Sequence, residues 1–171
     1  MSDRMDLEEV RKSLERASTV LEALSEAFQP PISTILRPGF ALRFADAARR
    51  FRIYADEFET FGIERGWPKP EPLDNIFGFD AGADTKEMML EAAESALQLI
   101  RNSNEILLCY YQRTKDFGDG QERRFLSRYL DILVREMAFW PRIINAARRV
   151  GNSSTTALQL LDAIAAEEYE Q

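Results

Sequence analysis

Six side chains on three predicted helices are of types that could bind a ligand together. They are the phenols of Tyr54 and Tyr110, the carboxylates of Glu57, Glu105 and Glu136, and the amide of Asn102. Asn102 falls on a predicted apolar seam, and the carboxylates border such seams, so helix packing would bring these groups towards one layer. This layer could hold a small ligand or, through carboxylates alone, a metal ion. The alternative is a polar layer that only fixes the register of the helices.

The composition excludes most catalytic chemistry. The chain has no histidine, so serine and cysteine nucleophiles would lack their usual base. It also has no Gly-rich phosphate loop, no Cys/His metal spacing and no Gly-x-Ser-x-Gly motif. Only carboxylate, tyrosine or lysine chemistry remains. This favours a non-catalytic protein without a cofactor or a metal.

The net charge of −7 argues against nucleic-acid binding, which needs a positive face. Two stretches are nevertheless rich in arginine. They hold Arg43, Arg49, Arg50 and Arg52, and then Arg123, Arg124, Arg128, Arg135, Arg142, Arg148 and Arg149. Acids interleaved with them, such as Asp46 and Glu136, favour salt-bridged outer faces over a site for polyanions.

The single cysteine, the first ten residues and the lengths of the apolar runs indicate where the protein is located. Cys109 excludes an intrachain disulfide and lies in the apolar run 106–111, which predicts a buried thiol. Residues 1–10 are acidic and polar, unlike a secretory signal. No run approaches the roughly 18 apolar residues of a membrane span. We therefore expect a cytoplasmic protein that does not enter a membrane.

Apolar residues recur three and four positions apart through most of the chain, which predicts helices and no strands. The predicted long helices span about residues 6–28, 39–65, 85–115 and 121–150, and a short helix follows at about 154–168. Strict alternation of the spacing implies a left-handed supercoil. Pro141 should kink the fourth helix. The whole chain, residues 1–171, is expected to form one all-α domain.

Residues 67–84 form the longest stretch without helical periodicity. Eighteen extended residues reach about 60 Å, whereas a helix of 26 residues is about 39 Å long, so this connection is long enough to return along the bundle. Two antiparallel hairpins joined by such a crossover form a ferritin-like bundle, and an up-down bundle with a loose loop is the alternative. Trp67, Phe77 and Phe79 either pin the connection to the bundle or present a surface to a partner.

Residues of the second helix add a family resemblance. Arg43-Phe44-Ala45 and Ala55-Asp56-Glu57-Phe58, followed by Gly62 and a proline-containing loop, resemble small bacterial ferritin-like proteins of uncharacterised role. The resemblance covers about residues 7–150 and implies a four-helix bundle. The family binds two metals through a Glu on two helices and Glu-x-x-His on the other two. Without histidine, and with Trp140 at the matching depth beside Glu136, no family ligand carries over.

We expect the chain to be a non-catalytic bundle that self-associates, as a dimer, or binds a protein partner. Strict apolar seams, abundant aromatic residues and missing catalytic motifs favour this function. Binding of a small ligand, or of a metal by carboxylates alone, inside the bundle is the first alternative. Arginine-mediated binding of a polyanion or nucleic acid is the second.

Overall fold

A computed structural model of the protein describes residues 3–28, 38–71, 86–149, 159–164 and 166. Five helices account for most of these residues, and no strand occurs among them. The helices are α1 (Asp3–Ala27), α2 (Pro38–Glu64), α3 (Lys86–Phe117), α4 (Gly120–Ala138) and α5 (Trp140–Arg149). Residues 159–164 are helical as well. Over the described residues, the prediction of an all-helical chain with four long helices is confirmed.

The first two helices form an antiparallel pair whose contact includes small polar side chains. Buried Ser18 and Ser25 on α1 donate hydrogen bonds of 2.8 Å to the carbonyls of Ala48 and Ala41 on α2. Ser18, nearer the start of α1, contacts Ala48, whereas Ser25, nearer the end of α1, contacts Ala41. The two helices therefore run in opposite directions. Serine is small enough to allow this close approach and satisfies its buried hydroxyl at the same time.

The aromatic seam of α2 is enclosed between helices. Phe40, Phe44, Phe51 and Phe58 are each at most 1% exposed. Phe44 stacks on Trp140 of α5 with ring centroids 5.2 Å apart, and Phe58 meets Phe125 of α4 at 4.9 Å. Buried rings of this size supply a large share of the apolar area removed from water. The two contacts also show that α4 and α5 run antiparallel to α2.

α3 runs antiparallel to the α4–α5 pair. Tyr110 of α3 donates a hydrogen bond of 2.8 Å to Glu122 of α4, close to the turn that joins the two helices. Towards the other end of α3, Glu94 accepts a hydrogen bond of 3.1 Å from Arg148 of α5. Since α2 and α3 both oppose α4 and α5, α2 and α3 run in the same direction.

The predicted end of the second helix at about residue 65 is confirmed, since α2 ends at Glu64. Gly66 has a positive φ of 82°, which costs glycine little because it has no Cβ. The amide of Trp67 then donates to the carbonyl of Gly62 at 3.0 Å, which closes the end of the helix in a Schellman-type motif. The indole of Trp67 packs against the core. This packing is the first of the two alternatives given for Trp67, that it pins the connection to the bundle.

The prediction that Asn102 and Cys109 lie on the buried side of α3 is wrong. The residues buried along α3 are Met89, Ala92, Ala93, Ala96, Leu97, Ile100, Ser103, Leu107, Tyr110 and Thr114. Asn102 is exposed, and so is Cys109, contrary to the prediction of a buried thiol. α3 has apolar side chains on two adjoining faces, so either register fits the sequence pattern. The face that contains the small alanines is buried, while Leu99 and Ile106 lie half-buried beside it.

The predicted fourth helix is two helices. α4 ends at Ala138, and α5 begins at Trp140 after the single residue Phe139. Pro141 lacks an N–H, and its ring would clash with the carbonyl of Met137 in a continuous helix. The disruption at Pro141 was predicted from the sequence, but a single helix over 121–150 is wrong.

Some predictions fall on other parts of the chain. Phe77, Phe79 and residues 72–84 of the connection lie outside the described residues. Of the predicted short helix at 154–168, only 159–164 and 166 are described, and these are helical. In the described ranges, no helix is long and apolar enough to cross a membrane.

Candidate functional site

Tyr54, Glu57 and Glu136, three of the six predicted site residues, lie at the contact between α2 and α4. Arg50 donates two hydrogen bonds to the Glu136 carboxylate, from Nε to Oε1 at 2.6 Å and from Nη2 to Oε2 at 2.8 Å. The Tyr54 hydroxyl donates to the same Oε1 at 2.9 Å. The two parallel hydrogen bonds fix the orientation of the Arg50 guanidinium, and the carboxylate neutralises its charge. Both oxygens of Glu136 are thus engaged by groups of the same chain.

The second carboxylate, Glu57, is engaged one turn further along α2. It accepts a hydrogen bond from the Tyr129 hydroxyl and another, of 3.2 Å, from Nη2 of Arg128. The rings of Tyr54 and Tyr129 meet edge-on with centroids 5.6 Å apart, which joins the two groups. We call the combined set the polar seam. Its members are Arg50, Tyr54, Glu57, Arg128, Tyr129 and Glu136.

The two phenols of the polar seam are held as hydrogen-bond donors. Burial and the neighbouring Glu136 charge raise the pKa of Tyr54, and burial and the hydrogen bond to Glu57 raise the pKa of Tyr129. A phenol with a raised pKa stays protonated, so neither residue can act as a base or a nucleophile near neutral pH. Across the described ranges, no three His, Cys, Asp or Glu side chains are grouped so that they could hold a metal ion.

The other three predicted site residues lie elsewhere. Tyr110 is fully buried and bonds to the equally buried Glu122, near the turn between α3 and α4. Asn102 and Glu105 are exposed on α3, and the side-chain oxygen Oδ1 of Asn102 accepts a hydrogen bond of 2.9 Å from the side-chain amide of Gln98. α3 buries the neighbouring positions Ser103 and Leu107, which leaves Asn102 and Glu105 at the surface.

Two polar residues on the buried side of α4 were not predicted. Glu122 and Tyr129 are both fully buried, on a line with Leu126 and Leu133. Spacings of four, three and four residues connect the four positions, as in a heptad seam. Leu130, four residues after Leu126 and three before Leu133, fits heptad spacing as well but is only half-buried. A search for polar residues on both possible seams would have found Glu122 and Tyr129.

The first arginine-rich stretch is engaged mainly within the chain. Arg49 donates to Asp46 at 2.6 Å, and Arg50 pairs with the same carboxylate. The Arg43 guanidinium lies 3.6 Å from the centroid of the Phe139 ring, a cation–π contact. Burial, together with the charge of Arg50, lowers the pKa of Arg43 to about 10. These contacts are those of a largely salt-bridged surface.

The outward side of α2 carries a second stripe, whose residues are exposed except for the half-buried Asp46. The α2 outer stripe consists of Leu42, Asp46, Arg49, Ile53, Asp56, Thr60 and Ile63, which follow by two residues the inward positions Phe40, Phe44, Ala47, Phe51, Tyr54, Phe58 and Phe61. Two residues correspond to a rotation of about 200°, so the stripe lies opposite the core. Leu42, Ile53 and Ile63 are 52%, 48% and 47% exposed. Three large apolar side chains therefore lie in one line on the solvent side.

A groove between α2 and α4 adjoins the centre of this stripe. It has a volume of about 450 Å³ and is lined by Ile53, Asp56, Glu57, Thr60, Phe61, Glu64, Gln121, Phe125 and Arg128. The rings of Phe61 and Phe125 stack in it with centroids 4.3 Å apart. The surface around Ile53 therefore combines an apolar centre with carboxylates.

Comparison with known proteins adds no assignment. No protein-family model matches the chain, and no curated protein is similar to it.

Proposed function

We propose that this chain is a non-catalytic helical bundle that binds protein, either a second copy of itself or a different partner, through the α2 outer stripe. The observation that carries the proposal is the alignment of Leu42, Ile53 and Ile63 on the solvent side of one helix. Single exposed apolar residues are ordinary on a protein surface. Leu42, Ile53 and Ile63 are instead aligned along one side of α2, 11 and 10 residues apart, and together they present a row of apolar contacts to a partner.

The polar seam supports a binding role over a catalytic one. Its carboxylates, Glu57 and Glu136, accept hydrogen bonds from tyrosine and arginine of the same chain. Its phenols are kept protonated by burial and by those carboxylates. Groups satisfied in this way stabilise the contact between α2 and α4 and keep the outward face of α2 in a fixed position.

We also propose that the four long helices adopt a ferritin-like arrangement. The common direction of α2 and α3 supports this, since the connection between them must then cover the length of the bundle. The antiparallel pairs α1–α2 and α3–α4 are the two hairpins of such a fold. In this proposal the chain keeps the family's framework without the histidines of its metal site.

The proposal is tested by comparing two variants with matched chemistry. Ile53→Lys puts a charge at the centre of the stripe, and Leu108→Lys does the same on α3, where Leu108 is 41% exposed. Self-association is measured by sedimentation velocity. A different partner is sought by cross-linking. It supports the proposal only after it has been purified and its Kd for each variant has been measured. We expect Ile53→Lys to weaken binding at least about tenfold, or about 1.4 kcal/mol.

Leu108→Lys should bind as the unaltered protein does. Equal binding by the Ile53→Lys variant, whether to itself or to the purified partner, would contradict the proposal. Circular dichroism of both variants serves as the check on folding, since both positions are at the surface.

A further inference from the structure

The α2 outer stripe is complementary to itself when a second copy is turned end to end. Reversal about Ile53 sets Leu42 of one copy opposite Ile63 of the other, two apolar side chains that are each about half exposed. It also sets Arg49 opposite Asp56, which have opposite charges, and Asp46 opposite the uncharged Thr60. None of these pairs of stripe residues brings like charges together. Ile53 meets its own counterpart.

We infer that the protein forms a two-fold symmetric dimer in which α2 of one copy packs antiparallel against α2 of the other, with Ile53 at the axis. This inference rests on the proposed function and names its partner. A two-fold axis repeats every contact, so the Arg49–Asp56 ion pair and the Leu42–Ile63 contact each form twice. The seven stripe positions alternate four and three residues apart, which is the spacing of such a helix pair, and the first, fourth and seventh of them are apolar.

The charges decide the direction of the pair. In a parallel arrangement Arg49 would lie opposite Arg49 and Asp56 opposite Asp56, and like charges at such positions are repulsive. The Arg49 side chain is 70% exposed and bonds to Asp46 through one of its nitrogens. A guanidinium has five N–H donors, so a second carboxylate can be accommodated.

Among the residues that the structure describes, Leu42, Ile53 and Ile63 of the stripe are each about half exposed. Residues 67–71, the described start of the segment after α2, lie on the α1 side of the helix, where Lys69 and Glu71 line a small cleft with Arg11, Glu15 and, from the stripe, Asp56. From Leu42 to Ile63 the stripe is about 32 Å long at 1.5 Å per residue. One helix pair of this length buries less than the roughly 800 Å² per partner of a standard interface. The dimer should therefore dissociate on dilution.

Charge exchange at one pair of positions tests the inference. Arg49→Asp makes both members of the ion pair acidic, and Asp56→Arg makes both basic. Each variant alone should dimerise at least tenfold more weakly than the unaltered protein in sedimentation velocity. An equal mixture of the two should form a heterodimer, and the double variant R49D/D56R should recover the homodimer, because each contact is again between opposite charges.

Cross-linking gives a second measurement that does not depend on charge. In a Cys109→Ser background, which removes the exposed native thiol, Ile53→Cys should form an intermolecular disulfide on mild oxidation. A disulfide needs the two Cα atoms within about 7 Å, which the axis position provides. Leu108→Cys in the same background is the control and should remain reduced.

Three results would overturn the inference. They are an unaltered protein that stays monomeric at every concentration, charge variants that dimerise as well as the unaltered protein, and an Ile53→Cys variant that cross-links no more than Leu108→Cys. A monomeric protein would exclude this dimer but not the proposed function, since binding of a different partner is judged separately by the Ile53→Lys comparison.

Discussion

The carboxylate of Asp162 caps the start of α2 at Gly39. Its Oδ2 accepts a hydrogen bond of 3.0 Å from the Gly39 amide, and its Oδ1 accepts one of 2.9 Å from the Phe40 amide. Amides in the first turn have no partner within the helix, and the first turn of α2 has no acidic residue of its own. A residue near the other end of the chain therefore supplies the cap.

Asp162→Ala should lower the free energy of unfolding by about 1 kcal/mol, the usual value of a capping side chain. The negative charge also interacts favourably with the helix dipole, so Asp162→Asn should lose less than Asp162→Ala but not be neutral. Urea unfolding at one fixed protein concentration measures both. Asp131→Ala, at an exposed position on α4, is the matched control and should change stability little. Equal effects of the two alanine variants would refute the capping role.

Gly118 and Gly120 border the same turn but should respond differently to alanine. A Cβ on Gly118 would lie 2.5 Å from the Thr114 Cβ and 2.8 Å from Oε1 of Glu122. A Cβ on Gly120 would have its nearest neighbour at 3.5 Å. Gly118→Ala should therefore lower the free energy of unfolding by about 1–3 kcal/mol through overpacking. Gly120→Ala should be neutral or stabilising by up to about 1 kcal/mol, because it restricts the unfolded chain. The reverse order in thermal or urea unfolding would contradict this geometry.

The positions of the helices follow from the local spacing of apolar residues. The choice of which side of α3 is buried does not. Spacing of three and four residues is a property of the chain itself, so the existence of four long helices was predicted correctly. α3 offers apolar side chains on two adjoining faces, and the choice between them depends on how closely the neighbouring helices approach. The prediction buried Cys109 and Asn102, whereas the helix buries Tyr110 and Ser103.

The polar seam could be predicted only in part, for a related reason. Tyr54, Glu57 and Glu136 border seams that face each other, and periodicity alone was enough to bring them together. Their partners Arg50 and Tyr129 depend on the level at which α2 meets α4, and no local pattern sets that level. The Asp162 cap joins residues still further apart in the chain. It could not be predicted, because a single acid that accepts hydrogen bonds leaves no periodic signal in the sequence.

Arg50 and Glu136 should be strongly coupled. The Glu136 side chain is 9% exposed and that of Arg50 is 30% exposed, so the pair lies between a surface and a buried salt bridge. Removing one partner leaves a charge that is partly out of water. Arg50→Met and Glu136→Leu should each lower the free energy of unfolding, and the double variant should be more stable than the sum of the two losses predicts. We expect a coupling free energy of about 1–2 kcal/mol in a double-mutant cycle. Additive losses would mean that the pair contributes nothing beyond its separate members.

Tyr54 and Tyr129 should make the fold sensitive to alkaline pH. Their pKa values are raised in the folded protein, first by burial and then by Glu136 and Glu57 respectively. The unfolded chain releases these protons from about pH 10 upward, while the folded chain retains them. The stabilisation is therefore fully present below about pH 10 and is lost as the pH rises towards the folded values.

This dependence is measurable by urea unfolding at a series of alkaline pH values. Each phenol should contribute up to about 1.4 kcal/mol per pH unit to the fall in stability above pH 10. The double variant Y54F/Y129F should show a correspondingly shallower fall, even if it is less stable at neutral pH through the loss of two hydrogen bonds. Absorbance of tyrosinate provides the direct check, because these two phenols should ionise only as the protein unfolds. If the double variant kept the full slope, or if the folded protein released both protons near pH 10, the phenols would not be held as donors by the polar seam.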